Sequence, residues 1–78
     1  MDHIVYILYS EKLAKHYAEN TNNIDNRLIT HNQGGKKFTS KGIPWKLVKT
    51  YSCENRIEAV RLEMKIKKRG IKRYLDEH

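Results

Sequence analysis

The longest apolar run of the chain, Ile4 to Tyr9, predicts a strand that is covered on both faces. Residues of a strand point alternately to opposite faces, and here both alternate sets are apolar. A polar connection, SEKLAK, separates this run from HYAEN, residues 16–20, which predicts a second and more polar strand. The two strands are most simply joined as an antiparallel hairpin, with the second strand at an edge of the sheet.

A helix is predicted over residues 21–35, which have the sequence TNNIDNRLITHNQGG. At about 100° per residue, Ile24 and Leu28 form its inward stripe. Arg27 and His31 lie beside that stripe on one flank, one turn apart. The signals for its two ends are Thr21, Asn22 or Asn23 as the cap with Asp25 in the first turn, and Gly34 with Gly35 as the stop.

The following segments predict a loop, a strand and a second helix. KKFTSKGIP is basic and is punctuated by glycine and proline, which favours a loop. WKLVKTY alternates between apolar and polar residues, as a third strand does. SCENRIEAVRLEMKIKKRG has helical periodicity, with Ser52 or Cys53 near the cap and Gly70 past the end.

The order ββαβα predicts a single α+β domain over residues 1–78. In this arrangement helices flank a three-stranded antiparallel sheet. The last segment, IKRYLDEH, is compatible with a short additional helical turn at the C-terminal side. The whole pattern therefore describes a small layered domain.

The chain is strongly basic, because 16 Lys and Arg residues against 9 Asp and Glu give a net charge of +7 over 78 residues. This excess favours a polyanionic partner, most simply nucleic acid, although a solubilising surface gives the same count. Cys53 is the only cysteine, and a free thiol suits a reducing, cytoplasmic setting. The run from Ile4 to Tyr9 is too short to cross a bilayer, so we expect no membrane association.

Glu63 has an unexpected place on the second predicted helix. On a helical wheel it falls between two apolar sets, inside the arc that should face the core. A carboxylate in such a seam is strongly unfavourable unless a cation pairs with it. That cation is either a basic side chain such as Arg27 or a metal ion. The two apolar sets are Ala59, Leu62 and Ile66, and Ile57, Val60 and Met64.

Taken together, the segments IVYILYS, HYAENTNN, NRLITHN, KFTSKGIPWKLV and EAVRLEMKIKK resemble the GIY-YIG nuclease superfamily. The resemblance is to its small single-domain bacterial branch, which is related to the N-terminal nuclease module of the UvrC DNA-repair protein. The two signature tripeptides match Ile4-Val5-Tyr6 and Tyr17-Ala18-Glu19. The two tyrosines lie eleven residues apart, an arginine follows ten residues later, and a glutamate lies on the later helix.

The resemblance implies that the chain hydrolyses DNA phosphodiester bonds with one divalent metal ion, Mg²⁺ or Mn²⁺. By the same resemblance, Glu63 is the metal ligand and Arg27 steadies the phosphate charge. Tyr6 orients the attacking water or takes its proton, Tyr17 hydrogen-bonds the water or phosphate, and His31 assists as a hydrogen-bonding or proton-relay neighbour. The residue types suit these roles, because magnesium prefers oxygen ligands and a guanidinium offers permanently charged donors.

The sequence departs from the family pattern at Glu19, where the second signature expects glycine. By strand alternation, Glu19 shares a face with Tyr17 and is therefore expected beside the phosphate site. There its charge either repels DNA, which is the effect we favour, or lends a second oxygen to the metal. Asn20 and Ile4 also differ from the pattern. We expect these changes to weaken turnover and to leave the fold intact.

Two other functions compete with nuclease activity. The first is a nucleic-acid-binding module that has kept the scaffold and lost the chemistry, with Phe38 or Trp45 stacking on bases, although we expect Trp45 to be a core residue. The second is a protein-docking role for the basic C-terminal helix. The lysines that would contact phosphate are Lys36, Lys37, Lys41 and Lys46, and the basic helix carries Lys65, Lys67, Lys68, Arg69, Lys72 and Arg73.

Overall fold

The computed structural model describes residues 3–33 and 39–78. Three strands and three helices follow one another in the order ββαβαα, which confirms the predicted α+β class and the antiparallel three-stranded sheet. The final segment forms a complete short helix. The bounds are β1 His3–Ser10, β2 Lys15–Thr21, α1 Ile24–Asn32, a 3₁₀ turn Thr39–Gly42, β3 Trp45–Cys53, α2 Arg56–Arg69 and α3 Ile71–Glu77.

Strand β1 lies at the centre of the sheet, and it pairs antiparallel with β2 on one side and with β3 on the other. Its side chains alternate between two apolar clusters, as its sequence predicts. Tyr6 and Leu8 pack on the α1 face, whereas Val5 and Ile7 pack on the face that α2 and α3 cover. All four side chains are fully buried, so the central strand β1 is covered by helices on both faces of the sheet.

Helix α1 has a side-chain cap at its start and is hydrogen-bonded to β3 at its end. At its start Asn23 is the N-cap, and its side chain accepts a hydrogen bond from the backbone N–H of Asn26. At its end the Asn32 side chain accepts from Trp45 N at 2.6 Å and donates to Trp45 O at 3.2 Å. Trp45 is 2% exposed, which confirms it as a core residue. The predicted stop at residues 34–35 lies outside the described part of the chain.

Helix α2 differs from its prediction in two respects. Its N-cap is Asn55, and not Ser52 or Cys53, because β3 continues through Cys53. Its buried stripe is also narrower than the helical wheel suggests, because the sheet covers α2 from one side only. Ala59 and Ile66 are buried, whereas the second apolar set is exposed: Ile57, Val60 and Met64.

Helices α2 and α3 meet at Gly70, whose φ of +96° is one that a glycine adopts without strain. The two helices are also joined by a charged pair between Arg69 and Glu77. At 14 residues α2 is the longest helix described, and within residues 3–33 and 39–78 no helix is long and apolar enough to cross a membrane.

We expect Gly42→Ala to destabilise the protein by about 1 to 3 kcal/mol, because overpacking a filled core displaces buried neighbours. A Cβ at Gly42 would lie 2.5 Å from the Trp45 ring and 2.9 Å from Ser10 Oγ, and both of these side chains are buried. Chemical denaturation followed by circular dichroism measures the change. The exposed neighbour Lys41 supplies the control, since Lys41→Ala should stay within about 0.5 kcal/mol. Equal stabilities for both variants would contradict the expectation.

Candidate active site at the edge strand

The carboxylate of Glu19 is the centre of a polar cluster on the α1 face of the sheet. Glu19 lies directly opposite Tyr6 in the β1–β2 register, and the Tyr6 hydroxyl donates to Glu19 Oε1 at 2.8 Å. The Tyr17 hydroxyl, two residues along β2, donates to Oε2 at 3.0 Å. Arg27 reaches across from α1 and forms an ion pair with Oε1 through Nη2. Both carboxylate oxygens are therefore engaged.

His31 lies behind the Tyr6 hydroxyl. It is fully buried, and its Nε2 lies 2.9 Å from Tyr6 Oη and 4.0 Å from Glu19 Oε1. The Tyr6 hydroxyl has one proton and donates it to Glu19, so Nε2 of His31 carries a proton and donates to Tyr6. Edge contact with the Tyr17 ring, at 5.2 Å between centroids, holds the imidazole in place.

Four of the five predicted catalytic residues therefore meet at one point: Tyr6, Tyr17, Arg27 and His31. Strand alternation places the two tyrosines on the face that α1 covers. Helical spacing places the arginine and the histidine one turn apart on the flank of α1 that faces them. Their meeting point is a residue that the sequence marked as a departure from its family pattern.

The cluster perturbs the ionisation of Glu19 and of both tyrosines. Burial opposes ionisation of Glu19, but hydrogen bonds from Tyr6, Arg27 and Tyr17 outweigh it and lower the pKa of Glu19 to about 2. Burial, together with the charge of Glu19 and its hydrogen bond, raises the pKa of Tyr17 to about 12. Burial and the same carboxylate also raise the pKa of Tyr6 above its ordinary value. Both hydroxyls are therefore donors at neutral pH.

Acid should remove a stabilising contribution that comes from Glu19. Its pKa is lowered in the folded chain from 4.5 to about 2, so the contribution is complete above about pH 4.5 and is lost as the pH falls towards 2. Urea unfolding at several pH values measures this loss. From about pH 5 to about pH 2 the wild-type chain should lose about 2 to 3 kcal/mol more than Glu19→Gln. Parallel pH profiles for the two proteins would contradict the prediction.

Glu63, the fifth predicted residue, lies on the other side of the sheet edge. It extends from α2 and is half-buried, with its Oε1 accepting from Asn20 Nδ2 at 2.6 Å and its Oε2 from Lys67 Nζ at 2.8 Å. The suggestion that Arg27 pairs with it is wrong, because Arg27 pairs with Glu19. The charge of Glu63 nevertheless contributes to raising the pKa of Tyr17, so its field reaches around β2 to the cluster.

The residues at this edge fit a magnesium ion held by few protein ligands. Magnesium binds oxygen and keeps several of its waters, so one carboxylate suffices when a phosphate joins it. Glu63 retains 17% exposure of its side chain, and its carboxylate has lone pairs beyond those that Asn20 and Lys67 occupy. Residues 3–33 and 39–78 contain no cluster of three or more His, Cys, Asp or Glu side chains that could hold a metal ion by themselves.

Of the lysines predicted to contact phosphate, the two that the structure describes lie on different surfaces. Lys41 is exposed on the 3₁₀ turn, which touches α1. Lys46 lies opposite Tyr9 in the register, on the face away from Glu19, and forms an ion pair with Glu11 at 2.7 Å. Lys36, Lys37 and Phe38 lie outside the described residues.

The chain belongs to the GIY-YIG catalytic domain family, whose pattern matches residues 2–75, and it therefore has a nuclease-type fold. A UPF0213 protein of Bacillus licheniformis is 37% identical over 79 residues, which cover 96% of this chain and 80% of that protein. A UPF0213 protein of Halalkalibacterium halodurans is 37% identical over 68 residues, covering 86% of this chain and 71% of that protein.

The fold is also that of a solved relative. The solution NMR structure of a UPF0213 protein from Bacillus halodurans matches with a TM-score of 0.59 and 31% identity, over 97% of this chain and 81% of that one. The resemblance that the sequence motifs indicate is thus confirmed at the level of family and fold.

Proposed function

We propose that this chain is a divalent-metal-dependent endonuclease that hydrolyses phosphodiester bonds of DNA. The observation that carries the proposal is the convergence of two tyrosine hydroxyls, a guanidinium and a buried imidazole on one anionic group. A phosphodiester is an anion that such donors recognise. The net charge of +7 supports the same class of partner, because it attracts a polyanion.

Each residue of the cluster has a role in this proposal. Arg27 binds non-bridging phosphate oxygens, since its planar guanidinium is always charged and offers paired donors. Tyr17 donates to the phosphate or to the attacking water. The proton on His31 Nε2 fixes the orientation of the Tyr6 hydroxyl, and Tyr6 in turn positions the water.

Glu63 is the residue that would hold magnesium or manganese. A divalent ion there supplies positive charge that polarises a phosphoryl oxygen. To hold the ion, the carboxylate would give up its pair with the exposed Lys67 ammonium. Glu19 does not serve as a second ligand in this scheme, because its carboxylate binds Arg27 and both tyrosine hydroxyls on the α1 face of the sheet, whereas Glu63 lies on the α2 side of the edge.

A cleavage assay tests the proposal directly. The purified chain is incubated with end-labelled single-stranded and double-stranded DNA, with Mg²⁺ or Mn²⁺, and in parallel with a chelator. We expect slow cleavage that requires the metal and stops when the chelator is added. Cleavage that continues in the presence of the chelator would contradict the metal requirement. If neither the wild-type chain nor Glu19→Gly cleaves DNA, the nuclease proposal itself is contradicted.

A second candidate function is DNA binding without chemistry. The observation that favours it is that the carboxylate of Glu19 already occupies the donors, while Glu63 is paired with Lys67. A binding module should show a DNA affinity that falls steeply with salt. For each phosphate contact, the logarithm of the association constant should fall by about 0.9 for every tenfold rise in salt concentration. Glu63→Ala should leave that affinity unchanged. Fluorescence anisotropy with a labelled duplex measures both, and a flat salt dependence would contradict phosphate contacts.

A further inference from the structure

Glu19 stands at the point where the donors of the cluster would bind an external anion. Tyr6, Arg27 and His31 come from β1 and α1, and Tyr17 and Glu19 come from β2. The side chain of Glu19 is 18% exposed and that of Arg27 is 32% exposed, so the group opens towards solvent at the sheet edge. A ligand can therefore reach Arg27 and Glu19 from solvent, whereas Tyr6 and His31 are fully buried behind them.

One donor of the cluster is not reached by the carboxylate of Glu19. Glu19 offers two oxygens, and both are used by Tyr6, Tyr17 and Arg27 Nη2. The Nε–H of Arg27 is buried and has no hydrogen-bond partner within the described part of the chain. A buried N–H without an acceptor is unfavourable. A tetrahedral phosphate carries more oxygens than a carboxylate and can accept from the second edge of the guanidinium.

We propose that Glu19 is a built-in competitor for nucleic-acid phosphate, which must displace this carboxylate from Arg27, Tyr6 and Tyr17 before it binds. The identity of the ligand rests on the proposed function, but the competition itself requires no catalysis. Because Glu19 is attached to β2 beside the donors, its effective concentration is high and an external anion competes poorly. Glycine at this position would remove both the negative charge and the side chain that binds the donors.

Occupation of the donors can be separated from simple charge repulsion. Glu19→Gln removes the charge but keeps a side chain of the same length, whose single amide oxygen can still accept from one of the two tyrosines. Glu19→Gly removes both the charge and the side chain. Repulsion alone predicts equal gains in anion affinity for the two variants, whereas occupation predicts a larger gain for glycine.

The experiment is an NMR titration of each protein with inorganic phosphate, without metal and at constant ionic strength. We expect Glu19→Gly to bind phosphate about tenfold more tightly than the wild-type chain, with Glu19→Gln in between, because charge-assisted hydrogen bonds are freed. Resonances of the His31 and Tyr6 side chains should report the binding. Adding Arg27→Ala to Glu19→Gly should abolish the gain.

The matched control is Glu58→Gln, which makes the same change in net charge on the exposed first turn of α2. It should alter phosphate affinity by less than about twofold. Equal affinities for the wild-type chain and a folded Glu19→Gly, or equal gains for Glu19→Gln and Glu19→Gly, would overturn the proposal. Glu19→Ala, which lacks the backbone freedom of glycine, replaces Glu19→Gly if the latter does not fold.

The outcome also separates this inference from the nuclease proposal. Tighter phosphate binding by Glu19→Gly without any cleavage of DNA supports the competition and contradicts the nuclease. Cleavage of DNA without a gain in phosphate affinity contradicts the competition and supports the nuclease.

Discussion

Glu19→Gly should raise the rate of metal-dependent DNA cleavage about 100-fold, the amount that one preorganised donor to a developing oxyanion typically contributes. The substitution frees Arg27 and both tyrosine hydroxyls from their internal acceptor. It also removes a negative charge next to the bound phosphate. Single-turnover cleavage at saturating metal measures the rate of the chemical step.

The controls for this prediction address charge and backbone freedom. Glu58→Gln makes the same change in net charge away from the cluster and should leave the rate unchanged to within about twofold. Glycine in a strand costs about 0.5 to 1 kcal/mol in stability, so unfolding curves of the variant are recorded alongside. A folded Glu19→Gly that cleaves no faster than the wild-type chain would contradict obstruction by the carboxylate.

Glu63→Gln, made in the Glu19→Gly background, should lower the cleavage rate about 1000-fold, which corresponds to the several kcal/mol that a metal ion contributes. The amide keeps the shape of the side chain and its contact with Asn20, but it removes the anionic oxygen that a divalent cation requires. DNA affinity without metal should stay within about twofold, because Glu63 lies on the α2 side of the sheet edge.

Glu58→Gln on the same helix is again the matched control, since it is exposed and pairs only with a neighbouring arginine in the described contacts. Raising the metal concentration should partly restore cleavage in Glu63→Gln if the residue is a ligand. A rate that is unchanged, or a loss that tracks loss of DNA binding, would show that Glu63 is structural, through its pairs with Asn20 and Lys67.

The two predictions concern different sides of the β2 edge. The donor cluster lies on the α1 face and Glu63 approaches from α2, and β2 separates them. Only an edge strand allows a ligand to contact both faces at once. The polar sequence of β2 and the position of the candidate site are therefore linked, because an edge strand tolerates polar residues that a central strand would not.

The basic surface of α2 and α3 carries no assigned role. Its exposed apolar residues, Ile57, Val60 and Met64, form one stripe on α2. These three residues are the second apolar set that the sequence predicted to be buried. The helical wheel identified which residues share a face, but it could not decide whether a second layer would cover that face.

The chain's local patterns determined its elements and most of their faces. The run from Ile4 to Tyr9 is apolar at every position, so it had to be a central strand. The side chain of Asn23 can satisfy an amide at the start of a helix, and it caps α1. Helical and strand periodicities also placed Tyr6, Tyr17, Arg27 and His31 on facing surfaces. These features depend on neighbours within a few residues, which a sequence displays.

Only the tertiary structure decided which charges meet. The apolar seam around Glu63 suggested Arg27 as one possible cation for it, but the β1–β2 register and the docking of α1 bring Arg27 to Glu19 instead. The Asn20 and Lys67 contacts of Glu63 depend in the same way on how α2 lies across the edge strand. Partner choice among charged side chains is set by distances between elements, which helix docking and strand register determine, whereas periodicity fixes only the face on which each side chain lies.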